Sequence, residues 1–375
     1  MLTILLILLF IRPFICSLAF PSVNFVYSIL LIAALFIWVI IKGLPLKLIK
    51  PIAYPFAFFI LALLISVIFS HNKIISVNGL YSYVSGILLF LFSVSLSSKE
   101  KSRVLLSIVA AAVLISLLVI YQYFFLFKHI LAYLAKQKIS NEFILDYISQ
   151  RRPFAPFVTP NTLGGYLAMI IPLTLIYKNK IWLILLLSSA LLLSRSIGAL
   201  ISIFLAVVIY FYLQGKFEKR RILFLCGLLA LLGFVFITRM EIQKQHLKPI
   251  FSTVMRLNYW RDALKIIQSS PFKGVGLGNF NLAQSRYAHN SYLQIWTEMG
   301  ILGLASFLWL IFVVFKQSLG RIKNSVYKTQ ILALTLANAV FLMHNFVDFS
   351  FFLPEVALIW WVALGLLFSY TNTNS

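Results

Sequence analysis

Runs of about 17 to 20 apolar residues, the length that crosses a bilayer as a helix, follow one another along this chain, and the segments between them hold most of the charge. In hydrocarbon every backbone N–H and C=O must be satisfied internally, so such runs form helices. They fall at residues 2–19, 25–41, 52–69, 80–96 and 104–127, then 162–177, 181–193, 197–213 and 222–237, and finally 291–315, 329–347 and 351–369. The expectation is an all-α polytopic integral membrane protein of about 12 transmembrane helices with two long external segments. It divides into a five-span bundle (1–127), a first external segment (128–161), a four-span region (162–237), a large external loop with an amphipathic helix (238–290) and a three-span region (291–375), all within one membrane domain. The first ten residues lack a basic region and the apolar run continues past Arg12 and Pro13, so this stretch reads as a retained span instead of a secretion signal.

A net charge of +23 in a soluble chain would suggest nucleic acid. Here 62% of residues are hydrophobic, the basic residues punctuate apolar runs instead of forming one face, and no nucleic-acid motif is present. The groups Lys42, Lys47 and Lys50; Lys99, Lys101 and Arg103; Lys178 and Lys180; Lys216, Lys219, Arg220 and Arg221; and Lys316, Arg321, Lys323 and Lys328 occupy alternate connections. By the positive-inside rule these connections and both chain ends are cytoplasmic, and the two long segments are external. Basic side chains at the boundaries also suit lipid headgroups and an anionic substrate. Cys16 and Cys226 lie in apolar runs and imply neither a disulfide nor thiol chemistry.

The first external segment ends in RRPFAPFVTPN, whose prolines exclude a regular helix and place Arg151 and Arg152 on a stiff stretch above the membrane. Gly164 and Gly165 in the next run permit close helix contact or a local break. SRSIG joins two runs with almost no loop, so Arg195 is held at the outer boundary, where it either snorkels to water or pairs with an anion. In the large loop, Leu257, Trp260, Leu264 and Ile267 recur at helical spacing, which suggests an amphipathic helix on the membrane surface. Arg256 precedes Trp260 by one turn, and either solvation or a cation–π contact is open to it. GVGLGNF then reads as a flexible turn, since its glycines lack the spacing and the strand–helix context of a dinucleotide loop.

The stretch RYAHNSYLQIWTEMGILG carries the chain from that loop back into the membrane. Asn290 is placed to cap the helix, leaving His289 on the approach and Arg286 three residues upstream. A helix start beside an arginine favours an anion, although His289 can equally mark an interface. Glu298 falls roughly on the opposite helix face from His289 and suits a packing or hinge contact. His344 and Asp348 share a face near the outer end of their helix. The nine acidic residues, among them Glu142, Asp146, Glu241, Asp262 and Glu355, show no cluster at metal-ligand spacing, so no catalytic metal and no cofactor are expected.

These residues resemble the O-antigen ligase and polymerase superfamily of membrane glycosyltransferases. The family's pattern is His, then Asn, Ser or Gln, nine residues, Gly, two residues and a second Gly, Thr or Tyr. It is met here by His289, Asn290, Gly300 and Gly303. Arg256 to Trp260 with PFKGVGLGNF, SRSIGA, and RPFAPFVTPN look like its external-loop, mid-chain and first-loop motifs, the last departing at Ala155 and Pro156. The resemblance covers residue 151 to the carboxyl end. It implies a bacterial inner-membrane enzyme of lipopolysaccharide biosynthesis with its site facing the periplasm. Such an enzyme moves a glycan from undecaprenyl-pyrophosphate to a hydroxyl of the lipid A core, with inversion and without metal. On that reading His289 is the base, Arg195, Arg256, Arg152 and Arg286 hold the pyrophosphate, and Asn290, Trp260, Glu298, Gly300, Gly303 and Asp348 support them. A protein O-oligosaccharyltransferase or a polysaccharide polymerase of the same superfamily carries the same histidine pattern. A twelve-span transporter is the alternative of another class, although the candidates gather at the outer boundary and not at the midplane.

Overall fold

The computed structural model describes residues 1–137, 148, 150–215, 218–246, 251–282 and 285–372. Glu142, Asp146 and Lys216 lie outside them. Among the described residues the regular secondary structure is all helical, without strands. The principal helices are α1 (Leu2–Ile11), α2 (Pro21–Lys42), α3 (Ala53–Ile68), α4 (Lys73–Val94), α5 (Ser98–Tyr121), α6 (Pro160–Ile170), α7 (Lys180–Ser194), α8 (Ile197–Leu213), α9 (Lys219–His246), α10 (Phe251–Ser269), α11 (Ser291–Arg321), α12 (Lys328–His344) and α13 (Pro354–Asn372). Among the described residues seven helical stretches are long and apolar enough to cross a membrane, and the apolar helices Leu2–Phe14, Pro160–Ile176, Lys180–Ser194 and Ile197–Leu213 are shorter. The chain is a multi-pass membrane protein; twelve crossings remain an expectation.

Helix α13 is the centre of the bundle. Every residue of its apolar window is buried, whereas only 6% of that of α9 is. It packs most extensively on α4, and also on α11 and α12. A side chain at Gly86 of α4 would collide with the Trp361 ring, and one at Gly365 would come within 2.7 Å of the Phe90 carbonyl. Close approach at small residues gains dispersion contacts, which matter here because lipid provides no hydrophobic drive for helices to associate. Large side chains such as Ile40, Leu223 and Phe234 are more than half exposed, as lipid-facing positions would be.

Several boundaries differ from the hydropathy reading: the helix expected from residue 80 begins at Lys73, and the run expected to end at 127 stays helical to Lys136. The first apolar run breaks at Arg12–Pro13, where proline removes a helical donor. Arg12 is fully buried there, 3.2 Å from Glu355 and 2.9 Å from the Asn24 amide oxygen. Helix α9 runs on past residue 237 to His246, because the polar segment after the apolar run consists mainly of good helix formers. Arg239 therefore projects from a rigid helix and not from a loop.

Candidate active site

The site grows from the start of α11. The Asn290 side chain accepts from the Tyr292 and Leu293 amides at 3.0 and 3.1 Å, the expected cap. Ser291 secures the other side, its amide donating to the Asn345 carbonyl and its hydroxyl to the Asn345 side chain at 2.6 Å. Between cap and loop, His289 takes a left-handed backbone conformation, φ 51°. Among the described residues only Arg151, Arg195 and His289 do so without being glycine. Such strain persists where surrounding contacts over-determine it, commonly at functional positions.

The imidazole is held by rings. Tyr259 of α10 stacks on it with centroids 5.5 Å apart, and Phe349 meets it edge-on at 4.7 Å. Phe349 in turn stacks on Tyr287 at 4.3 Å. Nδ1 of His289 is buried without a partner. Burial lowers the His289 pKa to about 4; Asp348 works against the shift and Arg256 adds to it. The ring is accordingly neutral at pH 7. Burial also opposes ionisation of Asp348, but His344, Ser350 and His289 together hold its carboxyl below the usual range. His344 Nε2 lies 3.2 Å from that carboxylate but out of line for a hydrogen bond.

Two polar cavities lie in this part of the protein; Tyr287 lines the larger and His289 neither. The smaller, about 160 Å³, is lined by Arg239, Arg256, Asn161, Ser196 and His344 among others, with no carboxylate among the described residues. Arg256 Nε and the Ser196 hydroxyl are buried without partners. Arg152 hydrogen-bonds the Ser194 carbonyl at 3.0 Å and the Asn161 side chain at 3.1 Å, which fixes the cavity rim. Arg195 ends α7; its carbonyl accepts from Arg239 at 3.3 Å and its side chain donates to the Gln150 carbonyl. Gly165 packs so closely on His344 that a side chain there would overlap the ring. The larger cavity, about 950 Å³, is lined by Asn24, Tyr81, Arg286, Tyr287, Gln294 and Glu298, among others. Burial pushes the Tyr287 phenol up to about 12, so it remains a donor.

The structure therefore unites Arg152, Arg195, Arg256, His289 and Asp348, and adds Arg239, which sequence reasoning missed. Arg239 stands two residues beyond an apolar run, the boundary position that singled out Arg195. Arg286 is not with them; it lies exposed at the larger cavity. Arg256 and Trp260 form no cation–π pair, and the Trp260 indole nitrogen is buried without a partner. On α10 Leu257 and Leu264 face outward at 51% and 46% exposure, while Ala263 and Ile267 pack inward. The inward stripe runs from Arg256 through Trp260 and Ala263 to Ile267, so Arg256 is drawn into the protein instead of being solvated.

The GVGLG segment is no flexible turn. The amides of Val275 and Gly276 donate to the carbonyls of Thr297 and Glu298 at 2.9 and 3.1 Å, and the His71 amide donates to Val275. Helix α11 breaks at Gly300, φ 68°, and Phe272 packs where a side chain would project. Gly303 packs under Met299 one turn on. Glu298 accepts from the Gly278 amide and the Gln294 side chain, both at 2.9 Å, which makes it a packing contact and not a direct partner of His289. Among the described residues no three His, Cys, Asp or Glu side chains converge as a metal-binding group.

The family model described as O-antigen ligase matches residues 182–308, about a third of the chain. That span holds Arg195, Arg239, Arg256, His289, Glu298, Gly300 and Gly303. The match supports the O-antigen ligase superfamily, and with it an O-antigen ligase- or polymerase-type function on lipid-linked glycans in general. No curated protein matches the chain.

Proposed function

We propose that this O-antigen ligase-like chain moves a glycan from undecaprenyl-pyrophosphate to a hydroxyl of the lipid A core on the periplasmic face of the bacterial inner membrane. The observation that carries the reading is the small cavity that, among the described residues, has no carboxylate in its lining and leaves Arg256 Nε and the Ser196 hydroxyl without protein partners, with a neutral, ring-clamped His289 within electrostatic reach of Arg256. Arg256 and Arg239 bind the pyrophosphate; Arg152 and Arg195 fix the rim and add positive charge. Each charge-assisted hydrogen bond to an anion contributes about 1.5 to 3 kcal/mol. The larger cavity receives the sugars.

In the reaction the acceptor oxygen attacks the anomeric carbon while His289 takes its proton, a contribution typically of about 100- to 10,000-fold. The bond from that carbon to the pyrophosphate oxygen breaks, the electron pair leaves with the lipid pyrophosphate, and the arginines stabilise the charge. Asp348 stabilises the imidazolium that forms. A single displacement inverts the anomeric centre, and the reaction proceeds without metal because guanidinium groups take the counter-charge role. Reconstitution with lipid-linked glycan and rough lipopolysaccharide tests the reading. A lipopolysaccharide product of higher mass is expected. Transfer only to a Ser or Thr of protein, or only extension of the lipid-linked glycan, would assign the chain to another acceptor class.

A further inference from the structure

A chain of three hydrogen bonds crosses the wall of the larger cavity and ends on the residue before His289. The Gly278 amide donates to one oxygen of Glu298 at 2.9 Å, the Gln294 amide nitrogen donates to the other at 2.9 Å, and the Ala288 amide donates to the Gln294 side-chain oxygen at 3.1 Å. Gln294 and Glu298 are 2% and 1% exposed. The two ends of this chain are backbone N–H groups, which can only donate. A carboxylate in the middle accepts on both oxygens, and that fixes which way the Gln294 amide points. Only with its oxygen toward Ala288 is every donor met.

We propose that Glu298 and Gln294 are positioning residues that hold the His289 loop in its left-handed conformation, acting through hydrogen-bond polarity and not through contact with substrate. The inference rests on His289 being the base of the proposed transfer. An amide at position 298 has one acceptor and one donor face. Glu298→Gln therefore forces a donor against a donor, either at Gly278 or, after Gln294 flips, at Ala288. Gln294→Glu sets two carboxyl groups face to face, which share one proton and then still accept from Ala288 and from Gly278, so this variant is the milder of the two. The double exchange, Glu298→Gln with Gln294→Glu, satisfies every group again, because the carboxylate then accepts from Ala288 and from the new amide. A buried unmet donor is costly and a restored network is not, so the pattern of loss and rescue is specific to this polarity.

Two readouts test it on the full-length protein. In single-turnover transfer, Glu298→Gln should fall about tenfold or more with donor affinity within about threefold of wild type, since the arginines are untouched. The double exchange should recover to within about threefold of wild type. Independently of any transfer, modification of His289 by diethyl pyrocarbonate, read by mass spectrometry, should quicken in Glu298→Gln and return to the wild-type rate in the double exchange. Glu298→Gln at the wild-type rate, or a double exchange no better than Glu298→Gln, overturns the proposal. If wild type itself transfers nothing, the functional reading fails and the modification pattern still decides the positioning role.

Discussion

Tyr259 of α10 and His289 of the α11 approach lie ring on ring, inclined by 19°. The contact ties the imidazole to the helix that carries Arg256, so the proposed base and the proposed anion clamp are parts of one rigid unit. Tyr259→Phe keeps the stack and should retain wild-type transfer within about threefold, whereas Tyr259→Ala frees the ring and should reduce turnover by about tenfold or more. Equal rates for the Ala and Phe variants would show that the stack does not orient His289.

Arg239 and Arg256 share the small cavity. Arg256→Lys keeps the charge and loses the planar fork, so donor affinity should fall by about ten- to a hundredfold, and Arg239→Lys should behave alike. Arg286 lines the other cavity, and Arg286→Ala should leave donor affinity within about threefold. Binding of a labelled lipid pyrophosphate to each variant checks the assignment.

What could be read from the residues alone was what is decided locally. Asn290 as a cap and Arg195 at a tight junction follow from short-range geometry, and both are found. Arg239 escaped because hydropathy ended its helix at residue 237, while helix propensity carries the helix on. Two apolar stripes overlap on α10, and spacing could not tell that Leu257 faces outward while Arg256 turns in. GVGLG reads as a turn by composition; its rigidity comes from carbonyls of α11, a contact no local pattern announces. The left-handed His289 was equally hidden, since it is imposed by partners such as Asn345, far along the chain.

Burial lowers His289 to about 4, so the proton-accepting form dominates above that pH and is lost only as pH falls through it. The acid limb of kcat/KM, which reports the free enzyme, should lie near pH 4 and the profile should be flat from there through pH 7. Asp348 holds the histidine up, so Asp348→Asn should move the limb lower still. A limb at pH 6.5 in wild type would show that the ring is solvated in the working enzyme.

At Gly300 the left-handed backbone and the packed Phe272 leave no room for a side chain. The conformation alone, φ 68° and ψ −176°, is essentially glycine-only and costs an L-residue about 1 to 3 kcal/mol, and the overlap adds to it. Gly300→Ala should lower the thermal midpoint in detergent and, by shifting the GVGLG packing, slow transfer. Gly320, with open space around it, is the control: Gly320→Ala should do neither.

Single-turnover transfer by wild type, His289→Ala and His289→Gln, with donor affinity measured separately, tests most directly that His289 removes the acceptor proton. The alanine and glutamine variants should both bind donor within about threefold of wild type and both fail to transfer, because an amide accepts a hydrogen bond but cannot take the proton at neutral pH. A glutamine variant within about tenfold of the wild-type rate would contradict the account, since a general base contributes more than that, and would leave His289 as a group that only orients the acceptor.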